Sequence, residues 1–366
     1  MEEKVIAYKG FNKYLTCRNF QYEIGKEYEE QEVSVCESGF HACENPFDVL
    51  DYYGDILNNR FCKVEQSGTI KKDDKKQASS KIKVVAEIGF AGLFKAGVEW
   101  IKEITNPTPI IDETKGKNDK DKIGSSGNYA KIGSIGDSAQ MGSSGDYAKI
   151  GSIGDSAQIG SSGNSAQIGS SGDYAKIGSS GNYAKIGSSG NSAQIGSSGD
   201  YAQIGSSGYY AKIGSSGNYA KIGSSGNGAK IDSSGDYAQI GSSGNYAKIG
   251  SSGNGAQIGS SGNYAQIGSS GNYAKIDSSG DYAQIGSSGY YAKIDSTGED
   301  SVICCAGDNS IVKAKKGCWI TLSEWQYSEE KQRSIPVCVK SEFVDGERIK
   351  ADTWYKLING EFVEQK

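Results

Sequence analysis

The residues best suited to chemistry lie near the amino terminus, in the segment CESGFHAC. Cys36, His41 and Cys43 occur together there, and His41 is the only histidine of the 366-residue chain. His41 is therefore the only residue that could act as a catalytic histidine. A zinc site would need a closely spaced cysteine pair of the C-x2-4-C type, which this spacing lacks. We expect buried structural cysteines and no metal here, with zinc binding and a reactive thiol as the alternatives.

An enzyme or small-ligand site in this amino-terminal region is the alternative function. Its candidate residues are Arg18, Glu23, Glu37, His41 and Cys43. The YKGF and GFHA segments resemble the strands that line transferase clefts, including those of ADP-ribosyltransferases. Polar residues beside glycine turns are more often structural, so we expect no enzyme and no cofactor. The alternative requires that Arg18 and His41 share one cleft.

Composition narrows the class of protein further. The net charge of −5 argues against a nucleic-acid partner, and no apolar stretch approaches the length of a membrane span. The opening MEEKVIAYKG lacks the basic and apolar regions of a signal peptide. We therefore expect the eight cysteines to be reduced thiols and the protein to be cytoplasmic.

A nonapeptide array dominates the middle of the chain. From Gly124 to Gly298 the sequence repeats G-S-S-G-[ND]-[YSG]-A-[KQ]-I through 19 units. The alanine position does not vary, and Met141 is the one replacement of the isoleucine. A flexible glycine-serine linker is the alternative interpretation of this segment, but such a linker does not need alanine and isoleucine at fixed positions.

The array predicts a parallel β-solenoid, so the fold class is mainly β. In a strand Y-A-K-I, alanine and isoleucine face a core while tyrosine and lysine or glutamine face solvent, and G-S-S-G-[ND] forms the turn. Ile135 and Ile153 lie two repeats apart, which favours two repeats per turn. Asp146, Asp173 and Asp200 recur at every third repeat, which leaves three repeats per turn as the alternative.

Tyrosine fills most of the variable positions. We expect successive rings to lie about 4.8 Å apart, either as a ladder that only stabilises the rod or as a binding face. The array holds 10 lysines and 10 aspartates, so neither a DNA mimic nor a phosphate binder is expected. The candidate binding residues are Tyr129, Tyr147, Tyr174, Tyr183, Tyr201, Tyr210, Tyr219, Tyr237, Tyr246, Tyr264, Tyr273, Tyr282 and Tyr291.

The two ends differ from the array and divide the chain into four parts. We expect an α+β lobe over residues 1–104 and a linker or cap over 105–123. The solenoid then covers 124–298, and irregular last coils with a β cap cover 299–366. In the lobe, VIAYKGF, QYEIGKEY, RFCKVEQSG and residues 81–88 are predicted strands, Asn45-Pro46 begins a short helix, and residues 91–104 form a helix. Asp345-Gly346 and Asn359-Gly360 predict hairpin turns.

Two resemblances add expectations. AYKGFNKYLTCRNFQYEIGKEY, CESGFHACENPFDVLDYY and the closing IKADTWYKLINGEFVE resemble an uncharacterised family of phages and prophages. That resemblance implies a phage-linked origin in the host cytoplasm and no chemistry. The nonapeptide partly resembles the calcium β-roll repeat, but Tyr129, Tyr147 and Ser138 occupy the position of the calcium-binding aspartate. We expect a metal-free roll, with calcium at the preceding Asn/Asp as the alternative.

These features favour a non-enzymatic structural or interaction protein. Its rod would present tyrosine, lysine and glutamine to a protein or glycan, or to a second copy of itself. End-to-end self-assembly through open coil edges is a further alternative. No nucleic-acid or membrane partner is expected.

Overall fold

The computed structural model describes residues 4–54, 59–104 and 118–365. The chain divides into two compact units, Met1–Trp100 and Ile101–Lys366. The fold is mainly β, as predicted, and the helices of the described residues include none that is long and apolar enough to cross a membrane. Residues 105–117 of the predicted linker lie outside the described residues.

The amino-terminal lobe is a small antiparallel sheet with one α-helix, α1, over Gly89–Ile104. A 3-10 helix over Pro46–Asp51 begins where Asn45-Pro46 predicted a helix, and the Asn45 side chain accepts a hydrogen bond from the amide of Phe47. The sheet has the order β1-β6-β7-β4, and β5 also pairs with β7. The strands of the lobe are β1 Val5–Phe11, β2 Thr16–Cys17, β3 Phe20–Gln21, β4 Glu27–Glu29, β5 Phe40–Ala42, β6 Arg60–Lys72 and β7 Gln77–Glu87.

The prediction of one strand over QYEIGKEY was wrong. The segment contains the short β3 and β4, and Gly25 separates them at a φ of +86° that glycine adopts without strain. Before it, Arg18 and Asn19 both have positive φ and connect β2 to β3 as a two-residue hairpin. The polar tip of that hairpin carries Arg18.

The array forms a parallel β-solenoid with two repeats per turn, as predicted. Each strand pairs with the strand two repeats later, so alternate strands build two sheets. The solenoid has about 11 turns over residues 122–322. Its four-residue strands are β8 Lys122–Ser125, β9 Lys131–Ser134, β10 Gln140–Ser143, β11 Lys149–Ser152, β12 Gln158–Ser161, β13 Gln167–Ser170, β14 Lys176–Ser179, β15 Lys185–Ser188, β16 Gln194–Ser197, β17 Gln203–Ser206, β18 Lys212–Ser215, β19 Lys221–Ser224, β20 Lys230–Ser233, β21 Gln239–Ser242, β22 Lys248–Ser251, β23 Gln257–Ser260, β24 Gln266–Ser269, β25 Lys275–Ser278, β26 Gln284–Ser287, β27 Lys293–Ser296, β28 Val302–Cys305 and β29 Ile311–Ala314.

We call the sheet that contains β8 the first sheet and the sheet that contains β9 the second sheet. Between them the alanines and isoleucines of the array form a continuous buried core, as the alternation predicted. Burial of each isoleucine contributes about 2 kcal/mol, which is the main favourable term of a coil this small.

The strand lies two positions later in the repeat than predicted. It covers [KQ]-I-G-S, whereas tyrosine belongs to the turn that precedes it. The first serine of the repeat, represented by Ser215, therefore ends the strand and faces the core instead of forming a turn. The two strand assignments put alanine and isoleucine on the same side, and this is why the core prediction survives the shift.

From Gly136 onward, the second glycine of the repeat is required by close stacking and not by a positive φ. A Cβ atom on Gly217 would overlap the carbonyl oxygen of Gly199 on the coil before it. The first glycine of the repeat differs on the outer face of the first sheet. A Cβ atom on Gly214 would meet nothing within 4 Å.

The carboxyl-terminal segment continues both sheets and then ends them with antiparallel strands. The strands are β30 Trp319–Ser328, β31 Arg333–Phe343, β32 Thr353–Ile358 and β33 Glu361–Gln365. The predicted last coils are β28 and β29, which keep the register of the array. The hairpin turn at Asn359-Gly360 is confirmed between β32 and β33.

The hairpin turn predicted at Asp345-Gly346 was wrong. The flanking strands β31 and β32 belong to different sheets and do not pair. The Asp345 side chain instead accepts hydrogen bonds from the amides of Glu347 and Ile349, which shapes a connection between the sheets. A local dipeptide signal cannot tell a hairpin from such a crossing, because the same side-chain bonds stabilise both.

The two glycine positions predict opposite responses to the same substitution. Gly217→Ala should force neighbouring coils apart and lower the melting temperature measured by circular dichroism, because its Cβ atom meets backbone. Gly214→Ala is the matched control and should change it little, since its Cβ atom enters open space and Asp232 already occupies the equivalent position. Equal effects of the two variants would contradict the stacking constraint.

Candidate functional site

The candidate tyrosines lie at the two corners of the solenoid and not on its flat faces. All 13 have a left-handed backbone with φ between 53° and 59°. The amide of each donates to a carbonyl of the next coil, as Tyr129 does to Asp146 at 2.8 Å. The predicted placement on a strand face was wrong because this turn residue bends the chain before the strand begins.

The rings stack along the axis at the spacing expected for offset aromatic packing. Seven pairs of rings have centroids 4.9–5.4 Å apart and planes within 12° of parallel. The longest stack joins Tyr183, Tyr201, Tyr219 and Tyr237 on the corner that leads from the first sheet to the second. On the opposite corner, Tyr246, Tyr264 and Tyr282 form a stack of three.

Stacking covers part of each ring face, and each of the 13 candidate tyrosines stays at least 45% exposed. The inner rings Tyr201 and Tyr219 are each 45% exposed, whereas Tyr210 is 68% exposed. Tyr210 has no tyrosine to stack on, since Ser192 and Gly228 occupy the equivalent positions one turn before and one turn after it. A stack therefore presents a row of phenol edges about 5 Å apart.

The residue before each tyrosine position forms a second ladder. The side-chain Oδ1 of an asparagine or aspartate accepts a hydrogen bond from the backbone amide of its counterpart one turn later, as Asn128 does from Asp146 at 3.0 Å. This bond satisfies an amide that the strand pairing leaves free. Tyr209 and Tyr290 occupy this position without such an acceptor and end the rows, although their own amides donate to Asn191 and Asn272.

Calcium would need the side-chain oxygens of these Asn and Asp residues as ligands, but their Oδ1 atoms already accept hydrogen bonds from backbone amides. The aspartates at this position of the repeat turn their carboxylates along the axis toward backbone amides, as Asp146 and Asp173 do. Across the described residues, no group of three or more His, Cys, Asp or Glu side chains is placed to hold a metal ion.

The amino-terminal lobe contains a separate cleft that brings several predicted residues together. A cavity of about 700 Å³ is lined by Arg18, Glu37, His41 and Cys43. The sequence requirement that Arg18 and His41 share one cleft is thus met. Glu23 is not among the lining residues and pairs with Lys26 instead.

His41 is held by the backbone within this cleft. Its Nε2 accepts a hydrogen bond from the amide of Cys36 at 2.9 Å, and the ring also bonds to the backbone of Gly39. Burial lowers the pKa of His41, and the cations Lys9 and Arg18 lower it further. A neutral imidazole engaged by two backbone groups fits a structural histidine better than a general base, which needs a nitrogen free for substrate.

Lys9 is the functional candidate that the sequence reasoning missed. Its side chain is only 4% exposed, and its Nζ donates to the carbonyl oxygen of His41 at 2.8 Å. Cys17 Sγ lies 3.6 Å from the same Nζ and 3.0 Å from the Tyr53 hydroxyl. The signal was present in β1, where Ala7, Lys9 and Phe11 alternate on the buried face.

Aromatic rings form the wall of the cleft. Phe20, Tyr22 and Phe40 pack edge to face with centroids 4.8–6.3 Å apart. Gly10 lets the Tyr53 ring pack against β1, because a Cβ atom there would overlap the ring. Burial raises the pKa of both Tyr22 and Tyr53, so their hydroxyls stay protonated at neutral pH.

Comparison with known proteins identifies only the amino-terminal lobe. A domain of unknown function (DUF7666) matches residues 5–96, so the lobe is similar to an uncharacterised family, as its motifs indicated. No curated protein and no solved structure matches the chain. The phage link and the resemblance to the calcium β-roll stay predictions.

Two aspartates replace the first glycine of the repeat on neighbouring strands of the second sheet. Asp277 on β25 lies beside Asp295 on β27, and Asp295 forms an ion pair with Lys313 at 2.6 Å. Burial, together with the adjacent Asp295 carboxylate, raises the pKa of Asp277 to about 7. The protonated form of Asp277 is therefore favoured by folding.

This pair predicts a pH-dependent stability. Because the folded pKa of Asp277 lies above its unfolded value of about 3.9, its ionisation destabilises the fold as the pH rises from about 4 through about 7. Asp277→Asn should therefore raise the melting temperature more at about pH 8 than at about pH 5. The gain in the free energy of unfolding should differ between the two pH values by an amount on the order of 1–2 kcal/mol. An equal gain at both pH values would contradict this assignment.

Proposed function

We propose that this protein is a non-enzymatic interaction protein whose solenoid presents rows of tyrosine to a protein partner. The observation that carries the proposal is the placement of 13 exposed tyrosines at a strained backbone position. A bulky side chain with positive φ is uncommon, and such strain concentrates at functional sites.

Stability alone is a poor reason to retain tyrosine there. A left-handed backbone costs a bulky residue about 1–2 kcal/mol, whereas a stacked aromatic pair contributes about 0.5–1.5 kcal/mol. Seven stacked pairs shared among 13 tyrosines therefore do not exceed the backbone cost. Gly228 and Gly255 occupy the same position with the same sign of φ and avoid that cost.

The geometry of the rows favours a protein over a glycan as the partner. Sugars bind aromatic rings through the ring face, and within a stack the neighbouring ring covers that face. The free surface is a row of hydroxyl edges at the spacing of stacked coils, which polar groups of a second repetitive or extended chain can match. The balanced charge of the array offers little to nucleic acid or to a membrane surface.

A second copy of the chain is an alternative partner. The antiparallel strands β31 and β33 form the last edges of the two sheets, and Pro336 removes one donor from the β31 edge. These features oppose end-to-end stacking of two chains at the carboxyl-terminal edge. Self-association should therefore be tested through the tyrosine rows at the corners of the solenoid. The eight cysteines, all among the described residues, form no disulfide, which supports the cytoplasmic setting that we also propose.

A small-ligand site in the lobe is the second candidate function, because Arg18 and His41 share a cleft. Catalysis there is less well supported than binding, since the backbone engages the His41 ring.

Replacement of the longest stack tests the main proposal. The quadruple variant Tyr183→Ser, Tyr201→Ser, Tyr219→Ser and Tyr237→Ser should fold, because Ser165 and Ser192 occupy this position naturally. It should capture the partner about tenfold less well than the natural protein when the immobilised full chain is exposed to lysate, since the row of hydroxyl edges is lost.

The matched control removes four outward side chains from the flat face of the first sheet. Gln158→Ser, Gln194→Ser, Gln266→Ser and Gln284→Ser together should leave capture unchanged. Light scattering of the same proteins distinguishes a second copy from another partner. Undiminished capture by a folded tyrosine variant would end the proposal.

A further inference from the structure

The lobe buries the amino group of Lys9 without a carboxylate partner among the described residues. Lys9 extends from β1 into the protein interior, and its Nζ lies 5.4 Å from the centre of the Phe11 ring and 5.8 Å from that of Tyr22. Within the part of the chain that the structure describes, no carboxylate lies within ion-pair distance of this ammonium group. Burial lowers the pKa of Lys9, because an isolated buried charge costs several kcal/mol, and an anion bound at Nζ would favour the charged form again.

The acidic residues that line the cleft are already engaged elsewhere. Glu30 accepts a hydrogen bond from the amide of Gly39, and Glu37 accepts one from the Ser34 hydroxyl. Glu29 forms a long ion pair with Lys81 at 3.7 Å. None of the three neutralises Lys9.

Arg18 is a second cation of the cleft, whose lining holds three cationic and three acidic side chains in all. The guanidinium group of Arg18 donates only to carbonyl oxygens in this structure, at 3.0 Å to Cys36 and 3.5 Å to Glu37. After burial, which is the largest cause, Arg18 also lowers the pKa of Lys9, whereas Cys17 and Cys43 raise it. It is also held at a φ of +49° by the two-residue hairpin, a strained conformation for an arginine.

The cleft has the size and lining of a site for a small organic molecule. Its volume of about 700 Å³ lies within the usual range for ligand pockets. Phe20, Phe40, Tyr52 and Tyr53 supply flat apolar surfaces along the same cavity that Lys9 and Arg18 line. Apolar walls with a few convergent charges are typical of sites that bind an amphipathic ligand.

We propose that this cleft binds a small aromatic carboxylate, with the carboxylate at Lys9 and the ring against the aromatic wall. This proposal rests on the second candidate function, a small-ligand site in the lobe, and does not depend on the function proposed for the solenoid.

The hydrogen-bonding capacity of Lys9 favours a carboxylate over a phosphate. An ammonium group has three N–H donors, and two of them are directed to the His41 carbonyl and to Cys17. One donor remains for a ligand, which suits a carboxylate oxygen, whereas a phosphate is usually held by several donors. Arg18 then supplies long-range attraction from the hairpin tip.

Titration of the full chain with matched pairs of ligands tests the proposal. We expect 2-naphthoate and phenylacetate to bind, measured by calorimetry and by the rise in melting temperature, and their neutral amides to bind at least about tenfold more weakly. Inorganic phosphate alone should bind no better than the amides. Equal binding of acids and amides, tighter binding of phosphate, or no binding of either acid at millimolar concentration would overturn the proposal.

Variants of Lys9 make the test specific. Lys9→Met should weaken binding of 2-naphthoate by at least about tenfold and raise the melting temperature of the free protein, because it removes a buried ionisable group that no carboxylate pairs with. Lys9→Gln keeps an N–H group for the His41 carbonyl and covers the case in which the methionine variant does not fold. Lys13→Met, at an exposed lysine over the Tyr14 ring of the same lobe, is the matched control and should bind normally. Unchanged binding by a folded Lys9 variant would refute the site.

Discussion

The closeness of successive coils is the constraint on which the solenoid depends. Strand amides, turn amides and side-chain acceptors all bond along the axis to a neighbouring coil. The backbone bonds recur along the array, and the side-chain bonds are interrupted where Tyr209 and Tyr290 replace the acceptor. Only glycine fits where the turn of one coil crosses the carbonyl of another. Small alanine and branched isoleucine then fill the narrow interior between the sheets. Packing between coils and between sheets therefore determines most residues of the repeat. Function can select only the residues at its few variable positions.

The tyrosine position shows how that freedom is used. It lies at the corner, where side chains do not contribute to the core and where the backbone already has positive φ. Serine, glycine and asparagine all occur there without disturbing the bonds between coils. Tyrosine predominates despite its cost, and its rings align because the coils beneath them are in register. The order of the rows is thus a by-product of the backbone, whereas the choice of residue is not.

Much of this architecture could be predicted from the sequence, because the alanine-isoleucine alternation and the recurrence of Ile135 at Ile153 each have one simple structural explanation. The position of the strand could not, since shifting it by two positions preserves the same inward face. The close approach of the coils shows why glycine is needed, and the φ angles show that tyrosine is the left-handed residue; neither could be read from the repeat. The Asp345-Gly346 turn failed for a related reason, as a local signal does not say which sheet the next strand joins.

The lobe shows the same division between local and long-range information. Arg18, His41 and Cys43 meet because β5 pairs with β7 and because Tyr8 bridges to Cys43, and neither pairing can be read from the residues themselves. The alternation along β1 does place Lys9 among core residues, so that signal was available. His41 was the first catalytic candidate in the sequence, but its ring is held by the backbone. Lys9, which donates to the His41 carbonyl oxygen, is the buried group without a carboxylate partner.

The alternation of sheets also limits how such a rod can change its length over evolution. Loss or gain of two repeats removes or adds one whole turn, and every downstream strand stays in its own sheet. Loss or gain of a single repeat would instead move each later strand to the opposite sheet, so that the closing hairpins β30–β31 and β32–β33 would exchange sides. Recombination within the array should thus yield longer and shorter homologues in steps of paired repeats, each with its terminal hairpins undisturbed.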